Sequence, residues 1–228
     1  MPAIGLTWTT TQERTGKQRR ISQVVRPSWP RVTRGQDTRF GSGKPGAQTG
    51  ETRTTVEITT AALEDVVGIQ DVLYRTWLAT YPSETFGINV DDIEEMYKDR
   101  NSEETLAKRR EQVSRPQETT LVAKEKDKVV GLCRIIKRED KSVIEAIYIL
   151  PEYQRLGIGS SVWREAQKLL DPKKDVVVQV ATYNTDAIEF YKRRGFRDTG
   201  KRWAEKKFRL KSGAVIPAME MIIKGKKE

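Results

Sequence analysis

The residues predict an α/β (α+β) fold: a mixed central sheet of about six to seven strands with flanking helices, in the order β-α-α-β-β-β-α-β-α-β-β. Three observations carry that expectation. Ile144 to Ser161 switches from a strand period to a helical one across a glycine turn. A second switch follows, from the apolar run Asp175 to Thr182 into a helical stretch that ends at Gly195. Around them lie two pairs of β-rich segments separated by short polar turns, which read as hairpins.

Taken in order, Thr54 to Thr59 alternates and reads as the first strand, with Thr60 as the N-cap of a helix and Glu64-Asp65 complementing its dipole. Val66, Val67, Ile69, Leu73, Trp77 and Leu78 trace its apolar stripe as far as Tyr81-Pro82. A second helical stretch covers 91–97 and then Glu103 to Val113. Thr119–Lys124 and Lys128–Lys137 form a hairpin across Glu125-Lys126-Asp127, with Gly131 as a bulge position. Ile144 to Leu150 is β-branched and aromatic, and Pro151 ends it for want of an N–H. From Ser160, the residues Val162, Trp163, Ala166, Leu169 and Leu170 recur at helical spacing until Asp171-Pro172. Phe196–Leu210 and Ala214–Lys224 close the chain as a hairpin across Lys211-Ser212-Gly213.

Between strand and helix lies Gln154-Arg155-Leu156-Gly157-Ile158-Gly159. A first helical turn has N–H groups without intrahelical partners and partial positive charge, and glycine lets a phosphate approach them. The turn therefore reads as a cradle for a pyrophosphate. A dinucleotide fingerprint would need a third glycine where Ser160 and Ser161 stand, and a P-loop would need a lysine after Gly159.

The turn resembles the acyl-CoA-binding signature of the GNAT (GCN5-related N-acetyltransferase) superfamily, [Q/R]-x-x-G-x-[G/A] after a strand closed by a breaker. Asn184-Thr185-Asp186-Ala187-Ile188-Glu189-Phe190-Tyr191-Lys192-Arg193-Arg194-Gly195-Phe196 is similar to the family's other motif, N-x-x-A-x-x-F-Y-x-x-x-G-F. The resemblance covers residues 55–224, and the element order matches it. Trp77 to Pro82 and Phe86-Gly87-Ile88 also resemble the corresponding segment of PaiA-like, polyamine-modifying acetyltransferases.

The resemblance implies an acetyl-CoA-dependent N-acetyltransferase acting by direct attack of a primary amine, with acetyl-CoA as cosubstrate and no metal. Backbone amides of Arg155, Leu156, Gly157, Ile158, Gly159 and Ser160 would hold the pyrophosphate, with the Arg155 side chain adding charge. Main-chain groups of Ile147, Tyr148 and Ile149 would pair with the pantetheine arm. Asn184 matches a position that contacts that arm, and a helix N-cap is its other reading. Tyr191 matches the position whose phenol faces the CoA sulfur, against the alternative of a core tyrosine. Some relatives carry a glutamate as base on the strand before the Asn helix; Gln179 stands there and cannot serve. Glu145 is the candidate general base, placed by two-residue alternation on the face of Ile147 and Ile149, against the alternative of an ion-paired residue.

The acceptor is expected to be a small-molecule amine. A closed pocket under residues 77–97 with Asp91, Asp92, Glu94 and Glu95 would draw a polyamine, whereas an open groove would fit a protein lysine or N-terminus. A noncatalytic acyl-CoA-binding regulator is the reading from another class.

Composition bounds the rest. The chain has 228 residues, a net charge of +10, no histidine and one cysteine. That excludes an internal disulfide, a zinc site and any histidine-activated nucleophile; Cys133 reads as a buried core residue. No apolar run reaches the roughly 18 residues a membrane helix needs. Residues 1–53 are poor in apolar side chains and rich in Arg, Thr, Gly and Pro, and they carry more than half of the excess charge. They read as a disordered basic extension to an acetyltransferase domain over 54–225. An organelle-targeting segment and a nonspecific nucleic-acid-binding arm are the alternatives. The expected setting is cytoplasmic, and a homodimer is compatible with it.

Overall fold

A computed structural model describes residues 56–206, 208 and 210–226. The expectation of a disordered extension falls on residues outside this range.

Seven strands form one sheet in the order β1-β2-β3-β4-β5-β7-β6. They are β1 (Val56–Thr60), β2 (Glu118–Glu125), β3 (Lys128–Lys137), β4 (Lys141–Ile149), β5 (Asp175–Ala181), β6 (Arg197–Glu205) and β7 (Ile216–Ile223). Every neighbouring pair is antiparallel except β4 and β5. The five helices are α1 (Val66–Thr80), α2 (Val90–Tyr97), α3 (Glu103–Val113), α4 (Ile158–Lys168) and α5 (Thr185–Lys192). Three helices, rather than the two expected, precede β2, because residues 98–102 break the second helical stretch and Ser102 caps α3 by accepting from the Thr105 amide.

The cap expected at Thr60 is corrected. Thr60 is the last residue of β1, paired with Leu121. The chain instead turns through a short 3-10 segment, Leu63–Asp65, where the Asp65 carboxylate accepts the Ala62 amide at 2.9 Å and pairs with Lys124. Burial gives the reason: Asp65 is sealed against β2 and brings its own counterion.

The core lies on both sides of β3 and β4. On one face α1 and α3 cover the sheet, with Ile69, Val72, Leu73 and Trp77 of α1 buried. On the other face α4 contributes Val162, Trp163 and Ala166, and Phe196 packs on Trp163 at 5.4 Å between ring centres. These stripes were legible from helical spacing, and each buried large side chain contributes about 1.5–3 kcal/mol.

Candidate active site

The parallel pairing of β4 with β5 runs from Lys141↔Asp175 to Ile144↔Val178 and stops there. One residue later β4 bulges: Ile135 of β3 faces Ile144, but Arg134 faces Ala146, so Glu145 is the extra residue. The two strands fork at this point. From 145 onward, β4 has a partner on its β3 side, while its other edge is open toward β5. Ile147, Tyr148 and Ile149 lie along that edge, where backbone groups turned away from β3 can pair with an extended ligand.

The glycine turn sits at the end of the same strand. Arg155 and Gly157 both take left-handed backbone, with φ of 63° and 82°. Alternating handedness of this kind turns successive N–H groups toward one point. The Ser160 and Ser161 amides donate to the Gly157 carbonyl, whereas those from Arg155 to Gly159 donate to no backbone carbonyl among the described residues. Gln154 Nε2 donates to the Ile149 carbonyl at 3.0 Å and ties the turn to β4. Arg155, Leu156 and Gly157 are exposed. Gly159 is needed for space: a Cβ there would stand 3.2 Å from the Phe190 ring of α5.

This is an open strand edge ending in a knot of unpaired amides. A model described as the Acetyltransferase (GNAT) family matches residues 75–196. The chain belongs to the GNAT acetyltransferase family. As a GNAT acetyltransferase it is an acyltransferase.

Solved structures support the GNAT fold. PaiA N-acetyltransferase from Thermoplasma acidophilum, in complex with coenzyme A, is 22% identical with a TM-score of 0.57, over 75% of this chain and 99% of that one. The ribosomal-protein-S18-alanine N-acetyltransferase from Escherichia coli is 14% identical with a TM-score of 0.51, over 76% and 97%. The protein yncA from Salmonella typhimurium, with its cofactor acetyl-CoA, is 17% identical with a TM-score of 0.51, over 76% and 96%. Among curated proteins none matches the chain.

The GNAT motif residues divide between the two faces of the sheet. Leu132 and Arg134 of β3 face Tyr148 and Ala146 of β4, on the side of α1 and α3. Ile147 and Ile149 point the other way, toward α4 and α5, where Tyr191 lies against Cys133, the β3 partner of Ile147. Tyr191 is 4% exposed and sits edge-on to Phe190 and Phe196, each at 5.2 Å. Burial first, then the neighbouring Cys133 thiol, holds its pKa above the ordinary value, so the phenol keeps its proton. Asn184 is the cap of α5, its Oδ1 accepting from the Ala187 amide at 3.1 Å. Burial pushes the Cys133 thiol up to about 12, which leaves it a packing residue.

Glu145 is the main correction. Simple alternation put it with Ile147 and Ile149, but the bulge reverses the parity and turns it to the α1/α3 face. There it pairs with Arg134, which also holds Glu118. Arg109 of α3 adjoins this cluster and donates to Gln70 and Gln112. Two of the four acidic residues of α2 are engaged, while Asp91 and Glu94 are exposed. Asp92 accepts from the Asn89 amide at 2.8 Å and from the amide and hydroxyl of Ser212 at 2.6 and 2.8 Å, and Glu95 pairs with Lys98.

Sequence reasoning gave no role to Arg194 or Tyr183. Arg194 Nη2 donates to Ser160 Oγ at 2.7 Å, and its guanidinium lies 3.2 Å over the Phe190 ring, placing a second arginine beside the glycine turn. Tyr183, just after β5, donates to the Tyr81 carbonyl at 2.9 Å and stacks on Phe86. Tyr81 in turn shares a 3.2 Å hydroxyl contact with Tyr148 and stacks on Trp77 at 4.1 Å. These aromatic side chains occupy the α1 side of the fork. Arg194 follows the Phe-Tyr pair by a helical turn, a spacing signal that was available in the sequence.

Proposed function

We propose that this GNAT acetyltransferase is acetyl-CoA-dependent and transfers an acetyl group to a primary amine of a small molecule by direct attack. The observation that carries the reading is the β4/β5 fork ending in the exposed turn 154–160. The fit is chemical. Unpaired amides and two arginines, Arg155 and Arg194, suit a diphosphate. The free edge at Ile147 to Ile149 suits an amide-bearing pantetheine arm, and a backbone N–H near Ile149 can polarise the thioester oxygen. Asn184 caps α5 with its carbonyl oxygen and keeps its amide donor for the same arm.

Tyr191 faces the place where the thiolate would form. Its raised pKa makes complete proton transfer to a thiolate uphill, since each unit of mismatch costs about 1.4 kcal/mol. Its contribution is therefore a hydrogen bond that strengthens as charge builds on sulfur. The catalytic unit is residues 54–225, and residues 1–53 add nothing to the chemistry. The α1 side of the fork is lined by Tyr81, Tyr148 and Tyr183, which suits an amine carried on an apolar or aromatic group.

A panel of amines with acetyl-CoA, read by free-thiol release, tests the reading. Aryl-alkyl monoamines should turn over faster than spermidine. Thiol release that is the same with and without every amine would overturn it.

A further inference from the structure

The fork leaves open which group takes the acceptor's proton, since Glu145 is held by Arg134 inside the α1/α3 face. Beyond the last β4–β5 pair, the first residue of β5 is Gln179, and its partner on β7 is Glu220. Their direction follows from packing. Val177 and Ile222 form one row with Ile136 and Val143. The β5–β7 register is unbroken, so Gln179 and Glu220, two residues along, share that face with Arg134. This is the side opposite Ile147 and Tyr191, which is where an acceptor must stand to attack a thioester lying in the fork.

Two further observations point to a ligand. Gln179 Oε1 is buried with no hydrogen-bond partner among the described residues. Glu220, 6% exposed, is paired at 2.9 Å with the ammonium of Lys201, whose side chain is 62% exposed. A primary ammonium on a mobile stem thus already sits against the carboxylate.

We propose that Glu220 is the catalytic residue that meets the acceptor amine, with Gln179 Oε1 as its second hydrogen-bond acceptor. Lys201 marks the place of the substrate's ammonium and swings out when substrate enters. This rests on the N-acetyltransferase reading above. The acceptor arrives as an ammonium, gives one proton to Glu220, and Glu220 releases it to solvent. The neutral nitrogen attacks the thioester carbonyl; a C–N bond forms and the C–S bond breaks. The remaining proton lost by nitrogen ends on the sulfur, so amide and free thiol leave with one proton released overall. The other charges on this face are engaged: Arg134 pairs with Glu118 and Glu145.

Glu220→Gln and Lys201→Ala separate a chemical role from a structural ion pair. Glu220→Gln should lower kcat/KM for the amine by about 100- to 1000-fold, with the acetyl-CoA affinity within about twofold of the parent. Lys201→Ala should keep or raise kcat/KM for the amine, because it frees the carboxylate. Equal losses in both variants, or Glu220→Gln turning over within about threefold of the parent, would overturn the assignment. If Glu220→Gln fails to fold, Glu220→Asp and Gln179→Leu carry the test; unchanged amine kinetics in both would overturn it too. A parent chain that releases no thiol with any amine removes the proposed function and this inference together, whereas an active parent indifferent to Glu220 removes this inference alone.

Discussion

At Tyr191, burial among Phe190, Phe196 and Cys133 fixes the protonation state before any substrate arrives. Because its pKa lies above the ordinary 10.0, the phenol stays protonated as pH rises through 10, and it adds no alkaline fall to the rate below that point. Tyr191→Phe should lower turnover by about 10- to 100-fold, with the coenzyme's Kd unchanged, as read by titration against steady-state kinetics. Arg194 acts through charge. Arg194→Ala should raise KM for acetyl-CoA by roughly tenfold, about 1.4 kcal/mol, with kcat nearly unchanged. The two glycines of the turn differ in kind. At Gly157 nothing would meet a Cβ, so alanine costs only the left-handed backbone, about 1–2 kcal/mol. At Gly159 a Cβ would press on the Phe190 ring of α5 at 3.2 Å, so the ring would have to give by a few tenths of an ångström.

At the scale of elements, the bulge in β4 and the end of β4–β5 pairing are one event. The extra residue bends β4 away from β5 and sends Glu145 into the Arg134–Glu118 cluster. Glu145→Ala leaves Arg134 with Glu118 as its remaining carboxylate and should cost about 1–3 kcal/mol in urea unfolding. Helix α2 packs Tyr97 on Tyr74 and Trp77 of α1, and Asp92 ties it to Ser212 in the β6–β7 connection. Burial works to raise the Asp92 pKa, but three hydrogen bonds to the ionised carboxyl outweigh it and leave the value below 3.8. A depressed carboxyl contributes stability that is fully present above its unfolded value and lost as pH falls through the folded one. Asp92→Asn should therefore be less stable than the parent at pH 6, with the gap narrowing below pH 3.8. Unfolding curves at the two pH values read it directly.

Across the whole molecule, a net charge of +10 favours encounter with a polyanionic coenzyme. The kcat/KM for acetyl-CoA should fall with added salt while kcat stays level. Removing residues 1–53 should leave kcat within about twofold, because the transferase fold begins at β1. The order of strands and helices was legible because period, prolines and caps are local properties. The turn 154–160 was legible for the same reason, since Gly157 and Gly159 carry their conformational meaning alone. Thr60 misled because a favourable cap residue competed with a strand partner, Leu121, that lies far along the chain on β2. Sequence by itself determined the seven strands, the glycine turn and the Asn-to-Phe motif. Only the tertiary structure decided that Glu145 turns to Arg134, that Asp92 is bound to Ser212, and that Glu220 stands beside Gln179. Each of those depends on the register between strands or on contacts between segments far apart in the chain, and a bulge of one residue is enough to reverse which face a side chain meets.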